Sequence, residues 1–170
     1  MGFEVAQSFQ WTLPDVIIYP TGGGTGLVGM WKAFIELDAL GWLNSKNRPR
    51  MIAVQAEGCA PVVNAFHSGS LICAFWKDAH TIATGLCVPK SFADQNILKD
   101  IRESNGTAIS VSDERILDSQ RKLARKEGIF AAPEGAATLA GLTKLINLGL
   151  VHSDERIILF NTGSGLKYIN

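Results

Sequence analysis

The chain has 170 residues, 46% hydrophobic and 19% charged, which suits one ordinary domain with a substantial core and excludes a disordered or polar tail. Sixteen basic residues balance sixteen acidic ones, so no broad cationic field is available to capture nucleic acid or an anionic membrane surface. No apolar run reaches the ~20 residues of a membrane helix, and the N-terminus lacks the basic and apolar regions of a signal peptide.

Taken in order, apolar runs of strand length alternate with longer stretches at helical period. Gly2–Phe9 carries a weak helical pattern in Phe3, Ala6 and Phe9. Asp15–Tyr19 reads Asp-Val-Ile-Ile-Tyr, stops at Pro20 and predicts a strand buried on both faces. Gly26–Leu40 follows as a helix, with Leu27, Met30, Trp31, Phe34, Ile35 and Leu37 on its apolar side. Met51–Ala56 is the second strand, and Pro61–Phe66 opens a short helix. Ser91–Glu103 is predicted helical, capped by Ser91, with Phe92, Ile97, Leu98 and Ile101 inward. Ala108–Val111 is a third strand. A helix then runs from a cap at Ser112 or Asp113 to Lys126, with Gly128 as its stop and Asp118–Lys122 among its charge pairs. Ile129–Ala132 reads as a short fourth strand, Gly135–Leu148 as a helix with Leu139, Leu142, Leu145 and Ile146 on one side, and Arg156–Asn161 as the last strand. Strands separated by helices predict an α/β fold in one domain, a mostly parallel sheet between two helix layers. Both ends read as interruptions within a larger sheet, with an exposed edge favouring self-association.

The sharpest local signal is Tyr19-Pro20-Thr21-Gly22-Gly23-Gly24-Thr25-Gly26-Leu27-Val28-Gly29, between a strand and a helix. Glycines at 22, 23, 24 and 26 let backbone N–H groups converge on one point. The helix N-terminus adds about half a positive charge, and Thr25 adds a hydroxyl. The combination predicts a phosphate cradle built without Lys or Arg. No Gly-Lys-Ser/Thr follows, which excludes a Walker loop. Gly24, Gly26 and Gly29 also match the GxGxxG dinucleotide fingerprint, with Glu57 ending the next strand. Against a dinucleotide stand the long connection through Asn44–Arg50 and the surplus Gly22 and Gly23.

The remaining residues of chemical interest read quietly. His67, His80 and His152 have no metal-ligand spacing. Cys59, Cys73 and Cys87 are odd in number and lack CxxC spacing, so they read as structural thiols of a cytoplasmic protein with no metal site. Trp31, Trp42 and Trp76 read as packing residues, since no basic groove accompanies them.

A set of segments in fixed order resembles one family. It comprises the glycine loop at Pro20–Gly29, Gln55-Ala56-Glu57-Gly58-Cys59-Ala60-Pro61, Thr81-Ile82-Ala83-Thr84-Gly85-Leu86, Glu127-Gly128-Ile129-Phe130, Pro133-Glu134-Gly135-Ala136-Ala137 and Thr162-Gly163-Ser164-Gly165-Leu166-Lys167. Together they resemble the C-terminal part of the threonine synthases, pyridoxal-phosphate enzymes of the tryptophan-synthase-β fold type, from about Met1 to Tyr168. The resemblance implies pyridoxal 5'-phosphate as cofactor. It implies that Gly22, Gly23, Gly24, Thr25 and Gly26 hold its phosphate, and that Thr162 lies beside its pyridine nitrogen. Glu134 is either an acid near the cofactor or a cap for the helix beginning at Gly135. The implied reaction converts O-phosphohomoserine and water to threonine and phosphate.

One departure goes with the resemblance. The family's Schiff-base lysine lies in a Ser-x-Lys segment upstream of any residue here, and Lys167 resembles a lysine that is not bonded to the cofactor. The implied partners are therefore an amino-acid substrate of the parent enzyme and either a second copy or a separate N-terminal half. The chain alone is expected to be inactive. Two other readings stay open: a Rossmann-like dinucleotide module, and a non-catalytic remnant that binds a partner chain.

Overall fold

A computed structural model describes residues 1–169. Four strands, β1 (Val16–Pro20), β2 (Arg50–Ala56), β3 (Thr107–Val111) and β4 (Ile157–Leu159), form one sheet in the order β3-β2-β1-β4. All three pairings are parallel, with Ile18 opposite both Ile52 and Leu159, and Val54 opposite Ile109. Six helices flank it: α1 (Gly2–Ser8), α2 (Thr25–Ala39), α3 (Pro61–His67), α4 (Asp94–Glu103), α5 (Asp113–Glu127) and α6 (Pro133–Asn147).

The layering follows from strand alternation. Ile17, Met51, Ala53 and Ala108 point to one face and pack with α1, α2, α3 and α4. Val16, Ile18, Ile52, Val54 and Ile109 point to the other and pack with α5 and α6. Both faces are covered, which is why the strands read as unbroken apolar runs. The predicted three-layer parallel α/β architecture is the observed one. Among the described residues no helix is long and apolar enough to cross a membrane.

Local chemistry sets most helix ends. Ser112 Oγ accepts from Arg115 N–H, acidic Asp113 and Glu114 occupy the first turn of α5, and Arg125 and Lys126 its last. Gly128 closes the helix at φ +68°, a conformation that disfavours any side chain.

Several expectations are corrected. Ile129–Ala132 does not join the sheet. Ile129 and Phe130 are 45% and 41% exposed. This segment instead bonds the turn after β4, with Ala132 N–H donating to Gly163 C=O and Gly165 N–H to Phe130 C=O. The last strand spans only Ile157–Leu159, because Asn161 has turned away to pack on Gly135. Helix α4 begins at Asp94, and Ser91 caps nothing: its Oγ donates to Gly23 C=O (2.7 Å) and accepts from Ala93 N–H. Phe92, ahead of the helix, is consequently 87% exposed.

Ile35 in α2 is exposed. Helix α6 begins at Pro133 and buries a stripe of small residues, Ala136, Ala137, Ala140 and Gly141; of the four larger residues expected along one side, Leu145 is buried, Leu139 and Leu142 are half-buried and Ile146 is exposed. A Cβ on Gly141 would lie 2.8 Å from a Val54 methyl, so the helix approaches the sheet too closely for larger side chains. Asp118 pairs with Arg121 rather than Lys122. Trp31 is buried while Trp42 is 56% exposed.

Candidate functional site

The glycine loop follows β1 at the carboxyl end of the sheet, where open α/β sheets bind ligands. It is anchored from beneath. Thr21 is fully buried, its N–H donating to Val54 C=O and its Oγ1 to Tyr19 C=O (2.9 Å). Gln55, also fully buried, donates to Thr21 C=O (3.0 Å) and accepts from Val62 N–H (2.8 Å) and Val63 N–H (3.2 Å). Gln55 thus ties the loop to the first turn of α3. Its sequence signal was a lone polar residue in an apolar strand, a position that must be hydrogen-bonded if buried.

Each glycine does something different. Gly24 is the N-cap of α2 at φ +77°, where a side chain is strained. A Cβ on Gly22 would fall 2.2 Å from Gly85 C=O, so Gly22 permits the approach of the Thr84–Leu86 turn. Nothing lies within 4 Å of a Cβ position on Gly23, which faces open space. Gly26 packs on Tyr19, its Cβ position 2.0 Å from the phenol oxygen.

Gly22, Gly23, Gly24 and Thr25 form one wall of a cleft of about 350 Å³. The Thr84–Leu86 turn, Glu134, Thr162, Lys167 and Tyr168 complete it. Every site residue expected from sequence therefore meets at one cleft, except Gly26, which is turned against Tyr19. Asp113 holds the approach to the Thr84 turn, accepting from Thr81 Oγ1 (2.5 Å) and Ile82 N–H (3.1 Å).

Glu134 does not cap α6. Its Oε1 accepts from Gly85 N–H (2.8 Å) and from the Tyr168 hydroxyl (2.6 Å), and the residue is only 8% exposed. Burial first, and then the bond to Glu134, push the Tyr168 phenol above its ordinary pKa. Burial likewise raises Tyr19. Sequence reasoning assigned no role to Gln55, Tyr19 or Tyr168.

The two further residues the dinucleotide reading needs do not reach this cleft. Gly29 is exposed on α2 with nothing within 4 Å of its Cβ position. Glu57 lines a separate hollow beside Arg115 and Lys144.

An open parallel sheet carrying a glycine-built, donor-rich turn at the end of its first strand defines an α/β domain that holds a phosphorylated ligand. Residues 1–163 match the family model described as pyridoxal-phosphate dependent enzyme, and the chain belongs to that family. Threonine synthase from Methanocaldococcus jannaschii is 37% identical over 98% of this chain and 41% of its own length. The threonine synthase of Methanosarcina acetivorans is 39% identical over the same shares. The chain thus spans about two fifths of the curated relatives it matches.

Two solved structures share the fold. The threonine deaminase of T.th. aligns with TM-score 0.70 at 21% identity, covering 96% of this chain and 55% of that one. The processed threonine deaminase isoform 2 of Solanum lycopersicum aligns with TM-score 0.77 at 17% identity, covering 96% and 43%.

The family's cofactor, pyridoxal phosphate, fits the loop. No protein acceptor is seen for the N–H groups of Gly22, Gly23, Gly24, Thr25 or Gly26 among the described residues, and the first turn of α2 directs its free N–H groups outward. A side chain at Gly23 would project into open space at the cleft wall.

Proposed function

We propose that this chain forms the cofactor-holding part of a threonine synthase-type lyase, which converts O-phosphohomoserine and water to threonine and phosphate. The observation that carries the reading is the meeting of the glycine loop, Thr84, Glu134 and Thr162 on one cleft. The two threonine synthase relatives support the choice of reaction over the deaminase activity named for the fold neighbours, because their similarity in sequence is higher.

In this reading the cleft-lining Gly22, Gly23, Gly24 and Thr25 hold the phosphate through N–H groups and one hydroxyl, and Gly26, packed on Tyr19, adds only its backbone N–H from the first turn of α2. Thr162 meets the pyridine nitrogen as a neutral partner, and Glu134 faces the same space. When bound, pyridoxal phosphate supplies an electron sink for charge developing on the amino-acid substrate. The chain's own work is to bind and orient: α2 sets a positive dipole end against the anion, and Gln55 and Asp113 keep the two walls in register. The family's cofactor-bonded lysine has no counterpart in the motifs of this chain, so in this reading the residues present bind and orient the cofactor rather than bond to it covalently.

The test is a titration of the purified chain with pyridoxal phosphate, followed between about 300 and 450 nm, with borohydride treatment and intact mass. Saturable binding without a fixed adduct is the expected result. Absence of binding would sink the cofactor reading. A stoichiometric adduct on one lysine would instead show a complete site within the chain, with cleft-lining Lys167 the first to map.

A further inference from the structure

The family match ends at residue 163 and does not reach the short 3-10 turn Gly165–Tyr168, which closes one side of the cleft. That turn is firmly seated. Ser164 Oγ accepts from Leu166 N–H (3.2 Å), Ala132 N–H donates to Gly163 C=O (2.9 Å), and Gly165 N–H donates to Phe130 C=O (2.8 Å). A Cβ on Gly165 would lie 2.8 Å from Ala131 C=O, so the close seating requires glycine there. The result is that the Tyr168 phenol is delivered between Thr84 and Glu134.

Counting hydrogens fixes the direction of these bonds. A phenol has one hydrogen to give, and Tyr168 donates it to Glu134 Oε1 (2.6 Å). The 3.0 Å contact between the phenol oxygen and Thr84 Oγ1 is therefore donated by Thr84, which has no second hydrogen. Glu134 Oε1 also takes the Gly85 N–H. Glu134 Oε2 has no partner among the described residues, and it is not sealed, since no fully buried side-chain polar atom among them lacks a partner. From the side chains of Thr84 and Glu134, both of which line the cleft, only lone pairs remain. The opposite wall, at Gly22–Thr25, presents N–H donors.

We infer that Tyr168 is a positioning residue that leaves the Thr84 and Glu134 side chains as acceptors only, so that the cleft selects ligands with an anionic group at one end and an ammonium or hydroxyl donor at the other. The inference rests on the cofactor reading above and deepens it. In Tyr168→Phe the Thr84 hydroxyl hydrogen loses its partner and is free to turn into the cleft, and Glu134 keeps one donor instead of two.

Two probes separate this from a merely structural role. Pyridoxamine phosphate carries both an anionic and an ammonium end; inorganic phosphate carries only the first. Binding of each is measured by calorimetry to the 170-residue chain and to its Tyr168→Phe and Glu134→Gln variants. Both variants should weaken pyridoxamine phosphate about tenfold, the loss expected for one hydrogen bond to a charged group. Inorganic phosphate should change less than about twofold, because the glycine loop alone holds it.

Equal weakening of both probes, or no change in either, overturns the inference while leaving the cofactor reading intact. Failure of the unaltered chain to bind pyridoxal phosphate would sink that reading instead. A ligand-free check uses the fact that the chain has two tyrosines. With Tyr19→Phe as background, the phenolate absorbance reports Tyr168 alone. Adding Glu134→Gln should lower its titration midpoint toward the ordinary tyrosine value, and an unmoved midpoint would show that the pair is not formed.

Discussion

Gly23→Ala separates a glycine needed by the ligand from one needed by the fold. A methyl at Gly23 meets nothing within 4 Å, and the residue is not among the glycines with positive φ. The fold should therefore accept it, with stability unchanged or raised by about 0.4–1 kcal/mol as the unfolded chain loses freedom. Gly23 lines the cleft, so under the cofactor reading the methyl should hinder the approach of an anion to the N–H groups of the loop. Loss of one charge-assisted bond costs about 1.5–3 kcal/mol, or about 10- to 150-fold in affinity.

The contrast is Gly24→Ala. Its Cβ would fall 2.1 Å from Ile97 Cδ1 at a residue with φ +77°. About 1–2 kcal/mol of left-handed strain and about 1–3 kcal/mol of overpacking sum to roughly 2–5 kcal/mol of lost stability. Urea unfolding of the ligand-free chain and titration with pyridoxal phosphate read the two effects separately. A Gly23→Ala protein that binds pyridoxal phosphate as tightly as the parent would refute the placement of the phosphate at this loop.

Three further outcomes follow from the same geometry. Gln55→Leu leaves the Thr21 carbonyl and the Val62 and Val63 N–H groups without their partner; at about 1–3 kcal/mol per orphaned buried group the loss should be at least about 3 kcal/mol, and a urea midpoint within error of the parent's would contradict the anchoring role. Asp100 is 6% exposed, and burial foremost, with Glu103 adding and Lys99 opposing, pushes its carboxyl from 3.8 to about 6. Because the folded pKa is the higher one, the folded state bears a penalty above about pH 6 that is relieved as pH falls toward 4, at most about 3 kcal/mol. Asp100→Asn should accordingly be more stable than the parent at pH 7.5, with the difference vanishing near pH 4; equal urea stability at pH 7.5 would show the carboxyl to be better solvated than its surroundings imply. Gly22→Ala drives a methyl to 2.2 Å from the Gly85 carbonyl, so it should both destabilise the fold and weaken pyridoxal phosphate by displacing the Thr84–Leu86 turn, and a variant that loses neither would place the two walls farther apart than described.

Sequence alone determined what depends on neighbours in the chain. The glycine loop was legible because its glycines and its strand-to-helix setting are contiguous. Helix α5 was legible because Ser112, its acidic first turn and Gly128 are local signals. The parallel, doubly covered sheet was legible because strands buried on both faces need no alternation.

What only the tertiary structure decided depends on distance between elements. The apolar residues 129–132 resemble a strand by composition, yet the turn at 163–165 takes their hydrogen bonds. Helix α6 hides its alanines because its axis lies within touch of Val54, a spacing no helical period reveals. The Tyr168 side of the cleft joins Thr84 to Tyr168, Gly85 to Glu134 and Glu134 to Tyr168 across separations of 84, 49 and 34 residues. A hydrogen bond has no signature along the chain when its partners meet only after the sheet, two helix layers and the closing turn are in place.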